Sequence, residues 1–279
     1  MRIFCSIEDL RRELSLSSDS LAIVPTMGAL HPGHLSLVGI GKEQAKRVGV
    51  SIFVNPAQFN NKNDLDSYPR DIERDFSLLK EVGVDYVFAP TNEVMYGIYN
   101  STKVIPSKLS SVMEGPGRPG HFEGVCTVVA MLFNVFNPDY AVFGEKDFQQ
   151  LRIIEDMVVD LKFNLEVIRA PIFREEHGLA RSSRNELLTS VERENAGVIF
   201  RALSEASNLV LRGDVVSSSV LAKALEVLET LPELRVEYLT INREDNLLEA
   251  DKIDLSVKHR IFFAGNLGRV RLIDNMPLY

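Results

Sequence analysis

Residues 21–34 read Leu21-Ala22-Ile23-Val24-Pro25-Thr26-Met27-Gly28-Ala29-Leu30-His31-Pro32-Gly33-His34. An apolar run ending at Pro25 fits a strand buried on both faces, which needs layers on either side of a sheet. The strand gives way to a turn set by Gly28, where the missing Cβ lets backbone approach a ligand; Gly33 does the same at the start of a helix predicted over 35–47. The N–H groups at that helix end favour anions. His31 and His34, three apart, would project to one side of a first helical turn, where their donors could stabilise charge on a departing pyrophosphate. The same His-x-x-His spacing also suits a zinc pair or two ordinary turn histidines.

A chain of 279 residues suits one elongated or two compact domains. Its 31 basic and 39 acidic residues leave a net charge of -8, which weighs against a nucleic-acid surface and against polybasic membrane attachment. Anionic substrates would then need a local cationic pocket. Neither a signal peptide at Met1-Arg2-Ile3-Phe4-Cys5 nor an apolar run long enough to span a bilayer is found. Cys5 and Cys126 alone exclude a disulfide framework and fit a reducing cytoplasm. Cys126, within an apolar helix pattern, reads as a small core residue rather than a reactive thiol.

Apolar strands predicted at 22–26, 48–54, 85–89, 140–144 and 165–169 alternate with amphipathic helices. This is the pattern of a Rossmann-like α/β domain, a parallel sheet covered on both faces, placed at 1–173. Ligands of such sheets bind beyond the carboxyl ends of the strands. Polar loops follow the strands there: Asn55-Pro56-Ala57-Gln58-Phe59, Glu145-Lys146-Asp147 and Ser182-Ser183-Arg184-Asn185. From about Phe173 the texture changes to helices at 191–212 and 216–231 and strands at 236–242, 259–264 and 270–273. These are read as a smaller α+β lid domain at 174–279.

Segments 25–34, 51–59, 68–70, 118–127, 143–151, 178–185 and 271–275 together resemble the pantoate–β-alanine ligase family of the HIGH-motif nucleotidyltransferases, in order along nearly the whole chain. The resemblance implies an AMP-forming reaction in pantothenate biosynthesis. The carboxylate of (R)-pantoate attacks the α-phosphorus of ATP, pyrophosphate leaves, and the amine of β-alanine displaces AMP from pantoyl adenylate. Such chemistry requires alignment, charge neutralisation and exclusion of water.

By resemblance, Met27, Gly28, Ala29, Leu30, His31, Pro32, Gly33 and His34 hold ATP through turn amides and the histidines, with His34 assigned as proton donor. Gly144, Glu145, Lys146 and Asp147 also lie at the nucleotide. Lys146 supplies positive charge to the phosphates, while Asp147 could accept from ribose hydroxyls or cap the following helix. Gln58 and Gln150 contact pantoate; neighbours on a helix diverge by about 100°, so only one of Gln149 and Gln150 can face the site. Ser182, Ser183 and Arg184 form the mobile second signature, closing over the triphosphate. Mg²⁺ is expected to arrive on ATP, held by phosphate and water, with no metal site of the protein's own. A homodimer is also implied.

Three positions depart from the family pattern: Arg181, a nucleotide-binding position by resemblance, replaces an apolar residue and could be harmless, add a phosphate contact or alter packing on the adenine; His177 replaces Asp, and Met131 replaces Lys. Phe173 is bulkier than the usual Val or Met near the nucleotide, and could compensate for Arg181. Two other functions remain at this point, a different HIGH-type nucleotidyltransferase such as a cytidylyltransferase and a non-catalytic nucleotide-binding module.

Overall fold

The structure is a computed structural model that describes residues 1–61, 65–66, 68–97, 101–106 and 108–279. It divides into two compact units, Met1–Glu145 with Gln149–Pro171, and Lys146–Phe148 with Ile172–Tyr279.

In the first unit six strands form one parallel sheet: β1 (Arg2–Phe4), β2 (Leu21–Thr26), β3 (Arg47–Ile52), β4 (Tyr86–Phe88), β5 (Tyr140–Gly144) and β6 (Glu166–Ala170). Their order is β1-β4-β3-β2-β5-β6. Ala22, Ile23, Val24, Val48 and Val50 are buried at its centre, each burial contributing about 1.5–3 kcal/mol for the larger side chains. The helices are α1 (Ile7–Leu14), α2 (Pro32–Gln44), α3 (Ile72–Glu81), α4 (Asn92–Tyr96), α5 (Glu114–Gly117), α6 (His121–Phe136) and α7 (Phe148–Asp160). From β2 the chain moves outward to β3 and β4, then returns to β5 on the other flank of β2. The loops after β2 and β5 therefore part at a topological switch point, the ligand-binding position of open α/β sheets.

Two details differ from the sequence expectation. Helix α2 begins at Pro32, not Leu35, because proline is preorganised for a first helical position and has no amide to leave unbonded. It also stops at Gln44. Arg47 opens β3 instead, pairing opposite Leu21 and held through its guanidinium by Asp19 and Asp85, each at 3.2 Å.

The second unit carries α8 (Ser190–Asn195), α9 (Gly197–Leu211) and α10 (Ser217–Leu228), followed by β7 (Leu234–Arg243), β8 (His259–Leu267) and β9 (Val270–Pro277) in an antiparallel sheet. Leu203, Val220, Ile241, Ile261 and Phe263 form its core. The helix expected over 191–212 is two helices. A capping box between Thr189 and Glu192 nucleates α8, and the Ala196 amide closes it on the Glu192 carbonyl at 2.9 Å before α9 starts. Cys126 lies buried in α6, where burial pushes its thiol up to about 12 and so removes it from thiolate chemistry. Among the described residues no helix is long and apolar enough to cross a membrane.

Candidate active site

The turn after β2 is fastened from below. Gly28 and Ala29 both take the left-handed conformation, with φ of 79° and 50°. The Gly28 amide donates to Thr26 Oγ1 (3.2 Å), and the Thr26 hydroxyl donates in turn to the Ser51 carbonyl (2.7 Å). The next two amides meet one carboxylate on α3: Ala29 donates to Asp75 Oδ2 (2.9 Å) and Leu30 to Asp75 Oδ1 (2.8 Å). Asp75 is 1% exposed; burial raises its pKa, against the pull of the Leu30 and Ala29 amides. A Cβ on Gly28 would stand 2.9 Å from Asp75 Oδ2, so the close approach itself requires glycine.

The amides of Gly28, Ala29 and Leu30 are engaged by protein acceptors, because the left-handed turn points them at Thr26 and Asp75. Asp75 escaped the sequence reading, although an acid four residues before Leu79, on the same buried helical face, is the kind of misplaced charge that could have exposed it.

His31 is the N-cap of α2, with Pro32, Gly33 and His34 in the first turn. The two imidazoles stack, centroids 3.9 Å apart and planes at 26°, with His31 buried and His34 half-buried. One face of the helix N-terminus is thus walled by paired nitrogen heterocycles, beside N–H groups that attract negative charge.

Gln58 ends a short 3₁₀ turn, Pro56–Gln58, after β3. Its Nε2 donates to Met27 Sδ at 2.8 Å, which joins two of the expected site residues directly. Its Oε1 accepts from Asn55 Nδ2 (3.2 Å), and Asn55 Nδ2 also reaches the Gly124 carbonyl (3.1 Å). On the other side Asn55 Oδ1 accepts from Ala57 N (3.2 Å) and from the Tyr96 hydroxyl. Burial pushes Tyr96 up to about 12, so it stays a neutral donor. His121 Nδ1 lies 2.9 Å from the Gln58 carbonyl. Helix α6 reaches this turn only because Gly124 has no side chain: a Cβ there would sit 2.4 Å from the Ala57 carbonyl oxygen.

Gln149 and Gln150 diverge as neighbours on a helix must. Gln149 is buried and holds backbone on every side, donating to Leu109 O (2.7 Å) and Val112 O (2.8 Å) and accepting from Glu114 N (3.1 Å). Gln150 is half-buried on another face of α7. Gly144 and Glu145 lie at and just past the end of β5, in the first unit.

The remaining expected residues belong to the second unit. Lys146 Nζ lies 3.7 Å from Asp147 Oδ1. Ser182 caps a 3₁₀ turn, Ser183–Leu187, by accepting from Arg184 N (3.2 Å), so Ser182 Oγ has a structural task already. Phe173 is 42% exposed, and its carbonyl accepts from Arg181 N at 2.9 Å. The Arg181 side chain turns elsewhere. Its guanidinium donates to Glu175 (3.0 Å) and to Glu186. Glu175 also accepts from Arg193 Nε (2.8 Å) and Asn185 Nδ2 (2.9 Å). Burial pushes Glu175 up, but the bonds from Arg193, Asn185 and Arg181 outweigh it and bring its pKa from 4.5 down to about 2.

The family model for pantoate–β-alanine ligase matches residues 2–277. The chain belongs to the pantoate–β-alanine ligase family. It is thus an ATP-dependent ligase of pantothenate biosynthesis, condensing pantoate with β-alanine. A pantothenate synthetase from Thermoanaerobacter pseudethanolicus is 46% identical over 271 residues, covering 97% of this chain and 95% of that protein. The crystal structure of pantothenate synthetase from Thermus thermophilus is 43% identical, covers 100% of both chains and has a TM-score of 0.95. The ligase from Francisella tularensis, solved in complex with β,γ-ATP and β-alanine, is 34% identical, covers 100% of this chain and 98% of that one, and has a TM-score of 0.81.

Two of this ligase's departures acquire neighbours. Arg181 is neutralised by Glu175 and Glu186, and His177 has its ring nitrogens 3.9 Å from Glu175 and 3.7 Å from Glu194. Nothing in the structure explains Met131.

Proposed function

We propose that this ligase works through a mixed anhydride. The pantoate carboxylate attacks the α-phosphorus of ATP, the bond to the pyrophosphate oxygen breaks, and pantoyl adenylate remains. The β-alanine amine then attacks the acyl carbon, loses a proton and expels AMP. No protein nucleophile is needed, so the side chains act by alignment and by stabilising charge. The reading rests on one observation above all: the stacked His31 and His34 stand at the N-terminus of α2, in the loop that leaves the sheet at its switch point.

In this reading His34 and His31 neutralise charge on the phosphates as pyrophosphate departs. Gln58 and Gln150 bind the hydroxyls and carboxylate of (R)-pantoate, and Gln58, fixed at both ends of its amide by Asn55 and Met27, sets their register. Lys146, Ser183 and Arg184 supply donors to the triphosphate, with Gly144, Glu145, Asp147 and Phe173 around the nucleoside. Mg²⁺ enters as part of the ATP substrate, its ligands mainly phosphate oxygens and water. The ligand set named for the Francisella relative supports both nucleotide and amine binding. The family resemblance supports a cytoplasmic homodimer, and the free thiols of Cys5 and Cys126 fit that compartment.

The test is exchange of labelled pyrophosphate into ATP with pantoate present and β-alanine omitted. Pantoate-dependent exchange is expected. A folded enzyme that makes pantothenate yet shows no exchange would overturn the adenylate.

A further inference from the structure

Segment 271–275 matches the family pattern but has no part in the reaction as described. It lies in β9, far along the chain from the residues that handle ATP. Asn275, 2% exposed, uses both ends of its amide. Its Nδ2 donates to the carbonyl of Lys146 at 2.9 Å, and its Oδ1 accepts from Arg260 Nη1 at 2.6 Å. Arg260, 3% exposed on β8, is fixed in turn: its Nε donates to Glu244 Oε1 at 2.8 Å, and its guanidinium carbon lies 4.0 Å from the centroid of the Phe148 ring. The same ring packs on Phe262, centroids 5.9 Å apart.

The segment Lys146–Phe148 is therefore gripped twice, at the Lys146 carbonyl by Asn275 and at the Phe148 ring by Arg260. The neighbouring Asp274 is also anchored, accepting from Arg174 Nη1 (2.7 Å) and Nη2 (2.9 Å). A buried Arg–Glu pair such as Arg260–Glu244 adds little net stability over an apolar pair of equal size. Its effect here is orientation. The guanidinium is held so that one N–H meets Asn275 and one face meets Phe148, and Asn275 is thereby turned with its N–H toward Lys146.

We propose that Asn275 is a positioning residue for Lys146, setting the backbone from which the phosphate-binding ammonium projects. The proposal rests on the reading of Lys146 as a cation for the triphosphate. Chemistry explains the amide: one end must accept from a cation and the other must donate to a carbonyl. Aspartate could accept from Arg260 but would set an oxygen against the Lys146 carbonyl. Leucine could do neither.

The test is a double-mutant cycle in the full-length enzyme, read by pantoate-dependent pyrophosphate exchange, with melting temperature and circular dichroism as controls on folding. Lys146→Met is expected to lower kcat/KM for ATP by about 100-fold, the scale of one lost charge-stabilising donor. Asn275→Leu is expected to lower it by about tenfold, the scale of one misplaced hydrogen bond. The double variant should be no slower than Lys146→Met alone, because Asn275 acts only through Lys146. A general structural effect would instead multiply the two losses, and that result would overturn the proposal. So would an Asn275→Leu enzyme as active as the parent beside an impaired Lys146→Met. If Lys146→Met is fully active, the reading of Lys146 itself falls and takes the proposal with it. Should Asn275→Leu fail to fold, the isosteric Asn275→Asp carries the same cycle, with the same expected and overturning results.

Discussion

Replacing Arg181 with methionine restores the apolar residue usual at this position, and the structure says what that should cost. The Arg181 side chain is 11% exposed, with one bond to the well-covered Glu175 at 3.0 Å and one to the exposed Glu186. A hydrogen bond to a charged group in partial burial is worth about 1.5–3 kcal/mol, and an exposed ion pair under about 1 kcal/mol. Glu175 would keep Arg193 and Asn185 as donors, and methionine would cover some apolar surface. The net loss is therefore about 1–2 kcal/mol. At about 2–4 °C per kcal/mol, the melting temperature should fall by about 2–8 °C. The pH dependence has a definite sign. Glu175, brought from 4.5 down to about 2, contributes stability that is present above pH 4.5 and lost as the pH falls toward 2. The gap in melting temperature between parent and variant should thus be full at neutrality and close in acid. KM for ATP, measured by pyrophosphate exchange, should stay within about threefold of the parent, since the guanidinium already donates to two carboxylates. An ATP KM raised about tenfold with an unchanged melting temperature would instead put the guanidinium at the nucleotide.

Two further substitutions probe the first unit. Asp75→Asn leaves one acceptor where two amides now donate and sets an NH₂ group against the second; at about 1–3 kcal/mol for the mismatch, the turn should loosen and kcat/KM for ATP fall about tenfold. Exchange kinetics at matched temperature check this, and parental kinetics would remove Asp75 from any role in shaping the turn. Gly124→Ala forces a methyl to within 2.4 Å of the Ala57 carbonyl oxygen, so the 3₁₀ turn bearing Gln58 must move. KM for pantoate should rise at least about tenfold while KM for ATP changes less, which steady-state kinetics with each substrate varied will distinguish.

The sheet was largely legible because its buried strands are continuous apolar runs, 22–26 and 140–144 most clearly, and because a parallel sheet demands the helices between them. Strand β1 was not. Its three residues are mostly exposed and become a strand only by pairing with β4. The start of α2 was misjudged because Pro32 and Gly33 read as turn residues, although proline is at home in a first helical turn. In the site, the stacked histidines and Gln58 belong to local motifs and could be found by inspection. Their distant partners could not. Ala29 and Asp75 are 46 residues apart, Asn55 and Tyr96 are 41, and Lys146 and Asn275 are 129, so no local spacing announces them. Arg181 is a different case. Glu175 and Glu186 flank it closely in sequence, and an acidic pair on either side of an unexpected arginine was a signal that its charge is answered locally.

In the proposed mechanism one oxygen passes from pantoate to AMP. Carboxylate-¹⁸O pantoate, unlabelled ATP and β-alanine should yield AMP carrying one ¹⁸O in its phosphate, with none in pyrophosphate, by mass spectrometry. Label in inorganic phosphate, with ADP as the nucleotide product, would mean attack at the terminal phosphorus and would contradict the account.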